Sequence, residues 1–251
     1  MSGRLAGKVA VVTGAGGGQG RAVIRRFAAE GAYVVALDLT IPPKVRDSVS
    51  DSGTVRFLEA DVSDRATIGR VRESVREYGG CDILYNNAGL YLPGRGDGPA
   101  GDVDLDTWDR ILRVNLTGAY YMIDAVLPSM VERKGGVILN VASLAGVVGG
   151  ASAAYTASKA GLIGLTKSIA STHGPLGVRA VALSLGVIET EMSRFSKEQG
   201  KWDEVLESIP VRRAAQPEEI ASWAVFLASD EASYANGANI VIDGGRGVGL
   251  R

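Results

Sequence analysis

Short apolar runs alternate with longer helical segments along the whole chain, and this alternation constrains the fold more than any other feature of the sequence. The runs consist mainly of Val, Ile, Leu and Ala, and they occupy residues 8–13, 33–37, 55–58, 82–85, 137–141, 178–183 and 240–242. A strand that is apolar at nearly every position is covered on both faces, as in a parallel sheet. The sequence therefore predicts an α/β fold with a single doubly wound parallel sheet and helices on both faces.

The predicted helices lie between these runs, at residues 21–30, 64–78, 108–131, 154–171 and 217–228. In the second of them, Ile68, Val71 and Val75 follow the i, i+3, i+7 spacing of one helix face. Gly31 is typical of the position just after a helix end, and Pro217 is typical of a helix start. The strands and helices together cover most of the chain.

Two stretches fit neither a strand nor a helix. Residues 91–104 form a polar segment rich in Gly and Pro, and residues 190–210 have a mixed pattern between the last two strands. A long insertion at the carboxyl edge of such a sheet is more often functional than decorative, so we predict a substrate loop at about 190–210. No repeat or linker divides the sequence, and we expect residues 1–251 to form one domain.

The composition excludes several classes of protein. The chain carries 27 basic and 28 acidic side chains, a balance that argues against a nucleic-acid partner. One Cys and one His exclude a disulfide framework and the usual zinc sites. No apolar run approaches the ~18 residues of a membrane span, and the N-terminus does not resemble a secretory signal. We therefore expect a reduced, cytoplasmic protein without a membrane or metal partner.

A glycine-rich segment, Thr13 to Gly20 (TGAGGGQG), joins the first strand to the first helix. Glycines at this point allow a close backbone approach to a pyrophosphate, which the helix N-terminus attracts. Asp38 ends the second strand 18 residues later, where a carboxylate can bind an adenosine ribose. The alternative is a tight turn followed by a capping aspartate. The order of the elements favours a dinucleotide site, and the absence of GxxxxGK[ST] excludes a P-loop.

Tyr155 and Lys159 are four residues apart, so both project from one face of a predicted helix. An ammonium ~5 Å from a phenol, at an effective dielectric of ~20, contributes roughly 3 kcal/mol, or about 2 pKa units. We therefore expect the pKa of Tyr155 to fall towards neutrality, as a general acid/base requires. Ser143 ends a neighbouring strand and is a candidate to orient a substrate oxygen. Taken alone, the spacing equally fits an amphipathic helix with a packed Tyr and an exposed Lys.

The motifs together resemble those of the short-chain dehydrogenase/reductase family. The glycine segment, Asp61-Val62, the run from Asn86 to Gly89, Asn115, Ser143 and the Tyr155/Lys159 pair occur in the family's order and span almost the whole chain. The resemblance implies a Rossmann-like fold and an NAD-preferring oxidoreductase. It changes the Tyr155/Lys159 interpretation from a weak prediction to a strong one.

The resemblance also implies which residues bind the cofactor. The pyrophosphate would be lined by Gly14, Gly18 and Gly20, with Gln19 beside it, and the adenosine ribose would contact Asp38 and the adjacent Leu39. The adenine would be flanked by Asp61 and Val62, and the segment beneath the cofactor would consist of Asn87, Ala88 and Gly89. The nicotinamide would be bordered by Gly186, Val187, Ile188 and Thr190. Tyr155 and Lys159 would also contact the cofactor.

The catalytic roles follow from the same resemblance. Tyr155 would exchange a proton with the substrate oxygen, and Lys159 would bind the nicotinamide ribose and lower the Tyr pKa. Ser143 would position the carbonyl or alcohol, and Asn115 would hold a water that links Lys159 to solvent. The substrate pocket would contain mostly apolar residues, namely Leu90, Leu144, Val148, Gly149, Met192 and Phe195, some of which equally fit a place in the core.

Several positions depart from the family pattern. Gln19 replaces a residue that is commonly Ile, and Ser143 and Tyr155 are 12 residues apart, one fewer than is usual. Val181 and Leu185 stand where the family has Asn and Pro, so the rigid turn that the Pro would give next to Gly186 and Val187 is absent. None of these departures removes a catalytic group.

The sequence thus predicts an NAD(H)-dependent enzyme that interconverts a secondary alcohol and its ketone. Two alternatives remain, a 3-oxoacyl thioester reductase of the same family and a non-catalytic dinucleotide sensor. Asp38, with Gly17 and Leu39 in place of the basic residues of NADP-binding relatives, favours NAD. The family resemblance also implies a homotetramer built on helices 108–131 and 154–171 and on the C-terminal strand segment.

Overall fold

Seven strands form one parallel sheet in the computed structural model, which describes residues 3–49 and 54–249. Their order across the sheet is β3-β2-β1-β4-β5-β6-β7, and every neighbouring pair is parallel. The strands are β1 (Val9–Thr13), β2 (Tyr33–Asp38), β3 (Val55–Glu59), β4 (Ile83–Asn86), β5 (Gly136–Ser143), β6 (Val178–Leu185) and β7 (Asn239–Ile242). The predicted α/β fold is confirmed. Of the predicted domain 1–251, residues 1–2, 50–53 and 250–251 lie outside the described residues.

The helices connect these strands. In the described part of the chain they are α1 (Gly18–Ala29), α2 (Pro43–Asp47), α3 (Thr67–Arg76), α4 (Leu105–Leu112), α5 (Ala119–Glu132), α6 (Ala145–Val148), α7 (Ala153–His173), α8 (Arg194–Glu198), α9 (Trp202–Glu207), α10 (Pro217–Ala228) and α11 (Arg246–Gly249). Short 3₁₀ turns occur at Gly174–Leu176, Glu191–Ser193 and Asp230–Ala232.

Both faces of the sheet are covered, which explains why the strands are apolar at nearly every position. Ala10 and Val12 of β1 pack in a core cluster with Phe27 of α1 and residues of α10. Val9 and Val11, which point to the opposite face, pack in a second cluster with residues of α3, α5 and α7. The single doubly wound sheet with helices on two sides therefore follows directly from the sequence pattern.

Two predicted segments differ in detail from the structure. The predicted helix 108–131 is two helices, α4 and α5, joined by a π-helical turn at Arg113–Gly118. The segment 190–210, whose pattern was mixed, contains α8 and α9 because its helical stretches are only five and six residues long, too short to show a clear period. The polar segment 91–104 is irregular, as expected, up to Asp104, which is the N-cap residue of α4.

The strand order places a crevice at the carboxyl edge of the sheet. β1 is followed in sequence by β2 on one side, whereas β4 lies on its other side. Such a reversal opens a gap between the loops that leave the two central strands, and this is where ligands of open α/β sheets bind. No helix in the described part of the chain has the length and apolar character that a membrane crossing requires.

Candidate active site

A cavity of about 990 Å³ follows the carboxyl edge of the sheet. This volume is at the upper end of the range for small-molecule sites. Its walls include nearly all of the predicted site residues, which are Gly14, Gly18, Gln19, Gly20, Asp38, Leu39, Asp61, Val62, Asn87, Ala88, Gly89, Leu90, Ser143, Leu144, Val148, Gly149, Tyr155, Lys159, Gly186, Val187, Ile188, Thr190 and Met192. Segments that are far apart in sequence thus meet at one site.

The glycine segment is held tightly against the end of β4. The side-chain amide of Asn87 donates hydrogen bonds to the carbonyl oxygens of Thr13 and Gly14, at 3.0 and 3.2 Å. The hydroxyl oxygen of Thr13 accepts the backbone N–H groups of Asn87 and Ala88, at 2.9 and 3.0 Å. A Cβ at Gly20 would overlap the backbone of Gly14, so this position admits only glycine.

Asp38 lies beside the glycine segment at the end of β2. One carboxylate oxygen accepts the backbone N–H of Gly16 at 2.8 Å, and the other accepts the N–H of Leu39 at 2.7 Å. The side chain of Leu39 is exposed and uncharged. The carboxylate therefore has a fixed position on the cavity wall with no compensating cation at the next residue.

Glu191 contacts the same segment, which the sequence did not predict. Its carboxylate oxygen Oε2 accepts the backbone N–H of Gly18, the first residue of α1, at 3.1 Å. The pKa of Glu191 is lowered, first by a hydrogen bond with its own backbone, then by that from Gly18, and also by the positive charges of Arg21 and Lys44. An acidic residue next to Thr190 in the predicted substrate loop was the only available signal.

Tyr155 and Lys159 project into the cavity from the first two turns of α7, and both side chains are almost completely buried. The ammonium Nζ of Lys159 lies 5.6 Å from the centre of the Tyr155 ring. It donates a hydrogen bond to the carbonyl oxygen of Val141 in β5, at 2.8 Å. The helix and the neighbouring strand therefore fix the pair jointly, and the packed-Tyr, exposed-Lys alternative is wrong because Lys159 is buried.

The expected fall in the pKa of Tyr155 is wrong for this arrangement. Burial raises the pKa of Tyr155 to about 12, while a hydrogen bond with Ser143 lowers it and the nearby Tyr91 raises it further. Burial also lowers the pKa of Lys159 to about 8. The attraction between the two groups is opposed by the loss of water around each of them, and desolvation has the larger effect on both pKa values here.

Asn115 lies in the π-helical turn beneath the cavity and is not part of its wall. Its side-chain oxygen accepts the backbone N–H of Leu90 at 2.7 Å. Its amide nitrogen donates to the carbonyl oxygen of Leu90 at 2.9 Å and to the hydroxyl of Ser158 at 3.0 Å. The side chain thus ties the loop after β4 to α7, immediately beside Lys159.

Two departures from the family pattern have a local explanation. The amide of Gln19 donates a hydrogen bond to the hydroxyl of Tyr85 at 2.9 Å, so it satisfies a phenol that is buried beneath α1. Leu185 continues β6 in register with Ser143 and Ile242. Without the usual Pro, β6 runs to Leu185, and the N–H of the following Gly186 donates to the carbonyl oxygen of Ile242 at 2.9 Å.

The predicted substrate residues differ in their environments. Leu144 is buried, whereas Val148 and Met192 are exposed along the cavity. Phe195 lies outside the cavity wall, and its ring is instead close to Gly94. Tyr91 was missed: its ring centre is 4.8 Å from that of Tyr155.

Arg110 and Arg113 of the α4 region also line the cavity and were not predicted. Both side chains are exposed, and neither position belongs to a motif that sequence reasoning could recognise. They add positive charge to the part of the wall that also contains Val114.

Comparisons with known proteins agree with this geometry. A family described as enoyl-(acyl carrier protein) reductase matches residues 14–246. D-threitol dehydrogenase of Mycolicibacterium smegmatis is 40% identical over 247 residues, which cover 96% of this chain and 94% of that protein. The 3-oxoacyl-[acyl-carrier-protein] reductase of Thermotoga maritima is 38% identical over 96% of this chain and 98% of its own.

A solved structure extends the similarity to three dimensions. The crystal structure of an NAD⁺-bound xylitol dehydrogenase superimposes with a TM-score of 0.89 at 35% identity, and the match covers 96% of this chain and 99% of that chain. The similarity therefore extends over nearly the whole fold.

Proposed function

Because this chain belongs to the short-chain dehydrogenase/reductase family and is an oxidoreductase acting on CH–OH groups, we propose that it uses NAD(H) to interconvert a secondary alcohol and its ketone. The convergence of Ser143, Tyr155 and Lys159 in one cavity is the observation that carries this proposal. These side chains would surround a substrate oxygen with a phenol, a hydroxyl and a buried amine.

The cavity residues fit a nicotinamide dinucleotide. Gly18 and Gly20 lie in the first turn of α1, where the helix dipole and the backbone N–H groups, of which that of Gly18 is bonded to Glu191, favour a pyrophosphate. All of the following residues line the cavity. Asp38 supplies acceptors for a ribose, and Asp61 and Val62 would flank the adenine. The segment 87–89 would pack beneath the cofactor, and 186–188 with Thr190 would border the nicotinamide. The nicotinamide, when bound, supplies the acceptor or donor of the hydride.

The chain's own residues handle the proton and the substrate orientation. In ketone reduction the phenol of Tyr155 donates its proton to the substrate oxygen, and in alcohol oxidation the phenolate form of Tyr155 takes the hydroxyl proton of the substrate. Ser143 orients the substrate oxygen through its hydroxyl. The ammonium of Lys159 favours the phenolate of Tyr155 by electrostatic attraction. Asn115 would hold a water that links Lys159 to solvent.

NAD(H) is preferred to NADP(H) on electrostatic grounds. A 2′-phosphate at the ribose would place a second anion within ~4 Å of the Asp38 carboxylate, a repulsion of about 4 kcal/mol per unit charge at an effective dielectric of ~20. Gly17 and Leu39, at the positions where a basic residue would compensate, carry no charge. Even half of this repulsion gives a preference of more than tenfold.

The substrate has an apolar group next to the reacting carbon, which we call its apolar flank. Leu90, Leu144, Val148 and Met192 supply apolar wall, and Tyr91 adds an aromatic ring directly beside Tyr155. The segment 190–210 acts as the substrate loop over this space. The names of the threitol and xylitol relatives point instead to polyols, so the two substrate classes belong in the same screen.

The second candidate function is reduction of a 3-oxoacyl thioester. The matching family description and the Thermotoga maritima relative favour it. Asp38, which disfavours NADPH, and a net charge of −1, which gives little attraction for an acidic carrier protein, weigh against it. The buried Tyr155/Lys159 pair also weighs against a non-catalytic dinucleotide sensor, because burying a lysine without a chemical role is costly.

We also propose a compartment and an oligomeric state for the enzyme. It works in the cytoplasm as a homotetramer that packs through α4, α5, α7 and the C-terminal strand segment. Leu105 of α4 and Tyr120 of α5 are exposed. Light scattering at micromolar concentration tests this assembly, and a monomeric mass would exclude it.

The decisive experiment is a substrate panel. The panel contains secondary alcohols with NAD⁺ and the matching ketones with NADH, and it includes polyols and a 3-oxoacyl thioester as competing substrate classes. We expect turnover of the secondary alcohols and ketones, measured by nicotinamide absorbance. Efficient turnover of polyols alone would exclude the apolar flank. Turnover of the thioester alone with NADPH would establish the second candidate.

A further inference from the structure

The first turn of α7, which carries Tyr155, is capped by a loop that precedes it by more than fifty residues. The two carboxylate oxygens of Asp97 accept the backbone N–H groups of Ala154 and Tyr155, at 3.1 and 3.2 Å. The carbonyl oxygen of Gly98 accepts the N–H of Ala153 at 2.9 Å. The first three residues of α7 therefore all donate to the segment 97–98.

These contacts supply hydrogen-bond acceptors for the first backbone N–H groups of α7. The first N–H groups of any α-helix have no partner within the helix. Ser152 is the N-cap residue of α7, but its side chain forms no capping hydrogen bond. Asp97 is only 2% exposed, so its carboxylate has exchanged water for these two N–H groups and for the favourable end of the helix dipole. Asp97 thus caps α7 from a distant loop.

We propose that Asp97 is a positioning residue for Tyr155, an inference that rests on the proposed role of Tyr155 as the acid/base. Asp97 binds the backbone of Tyr155 itself, whereas Lys159 is held independently by the carbonyl oxygen of Val141. The distance between the phenol and Lys159 therefore depends on the first turn keeping its place relative to the rest of α7. Asp97 provides that constraint.

The same loop also shapes the space around the phenol. Tyr91, at its start, packs its ring against Tyr155. Asp97 is tied back to this part of the loop, because its carbonyl oxygen accepts the N–H of Gly94 at 3.2 Å and its backbone bridges to Pro93. One loop thus fixes both the backbone of Tyr155 and one wall beside its side chain. A change at Asp97 is transmitted to the reacting groups without altering the glycine segment.

The test compares Asp97→Ala and Asp97→Asn with Asp104→Ala. Asp104 is a matched control, since it caps α4 from the same loop by accepting the N–H and the hydroxyl of Thr107, and it is exposed. We expect Asp97→Ala to lower kcat about tenfold or more while the Kd for NADH, measured by nicotinamide fluorescence, stays within about threefold. Asp97→Asn keeps one acceptor, and its kcat should lie between those of the wild type and Asp97→Ala.

Hydrogen exchange supplies a readout that needs no turnover. Amides 153–156 should exchange faster in both Asp97 variants than in the wild type. In Asp104→Ala their exchange rates should be unchanged, and kcat should stay within about twofold of the wild-type value. A wild-type kcat in both Asp97 variants, a Kd for NADH that rises in step with the loss of kcat, or an equal loss in Asp104→Ala would overturn the proposal. Absence of any turnover in the wild type would instead reject the proposed function, and hydrogen exchange would still decide whether Asp97 caps α7. If Asp97→Ala does not fold, Asp97→Asn carries the same comparison.

Discussion

The carboxylate of Glu191 lies 3.1 Å from the backbone nitrogen of Gly18, at the N-terminus of α1. This N-terminus is the position at which an α/β dinucleotide site attracts a phosphate. The chain's own anion thus uses the hydrogen-bond donor that a pyrophosphate would use. Glu191 also begins the segment that leads to α8. The hydrogen bond between Glu191 and Gly18 therefore links the N-terminus of α1 to the position of the substrate loop.

Glu191→Gln should strengthen NADH binding by about threefold to tenfold. The substitution removes a negative charge that competes with the pyrophosphate, and the partial exposure of the side chain keeps the gain modest. Titration of NADH fluorescence measures the Kd. Glu198→Gln, which removes an exposed charge in the neighbouring α8, is the control and should leave the Kd unchanged. Weaker binding in Glu191→Gln would show that Glu191 is a cofactor ligand rather than a competitor.

Tyr155→Phe should lower kcat by about 10²–10⁴-fold, the usual contribution of a general acid/base. The ring still fills its place against Tyr91, so the Kd for NADH should change little. Steady-state kinetics and NADH titration measure the two quantities. Tyr234→Phe alters a fully exposed tyrosine and should retain wild-type kcat. More than about a tenth of wild-type kcat in Tyr155→Phe would remove Tyr155 from its assigned role.

Asp38→Ala should reduce the preference for NADH over NADPH at least tenfold. The variant removes the carboxylate whose repulsion of a 2′-phosphate is about 4 kcal/mol per unit charge at ~4 Å. The ratio of kcat/KM for the two cofactors is the measurement. Asp38→Asn keeps an acceptor for the N–H of Gly16 but not the charge, so it separates electrostatics from loop geometry. Equal kcat/KM values for NADH and NADPH in the wild type would contradict the assignment.

Lys159 should make the free energy of unfolding depend on pH. Its pKa is about 8 in the folded protein against an ordinary value of 10.5, so between these values the unfolded chain binds the proton that the folded chain has released. Stability therefore rises with pH across this window, by about 3 kcal/mol in total.

Urea unfolding of the wild type and of Lys159→Met, near pH 7 and near pH 9.5, measures this effect. We expect the wild type to gain about 2 kcal/mol relative to the variant as the pH rises, because most of the window is crossed. Lys167→Met removes an exposed lysine from the same helix and should differ from the wild type equally at both pH values. A difference for Lys159→Met that does not change with pH would show that Lys159 is charged in the folded protein throughout.

The sequence predicts the fold and most of the cavity wall because their signals are local. The apolar runs give the strands of the sheet, and glycines that follow β1 are required by close backbone contacts such as that between Gly20 and Gly14. The four-residue spacing of Tyr155 and Lys159 places both on one face of α7, as observed. These relationships depend on neighbours in sequence or on the order of elements.

The remaining features depend on tertiary contacts between irregular segments. Asp97 and Glu191 act on helix termini that are 57 and 173 residues away, and no periodicity in either loop indicates such a partner. The family pattern predicts Phe195 in the pocket, but in this chain its ring lies near Gly94. The pKa of Tyr155 was misjudged for a related reason, since burial is a property of the whole fold.

The attachment of Asn87 to Thr13 and Gly14 has a consequence for the order of folding. The two segments are 73 and 74 residues apart, and β4 must lie beside β1 before this amide can close the glycine segment. Closing so long a loop is entropically costly and slow compared with forming a local helix. An isolated N-terminal fragment that ends before β4 would therefore contain the phosphate-binding sequence without its shape. During refolding, affinity for a dinucleotide should return only once the central strands have paired, later than the helical signal.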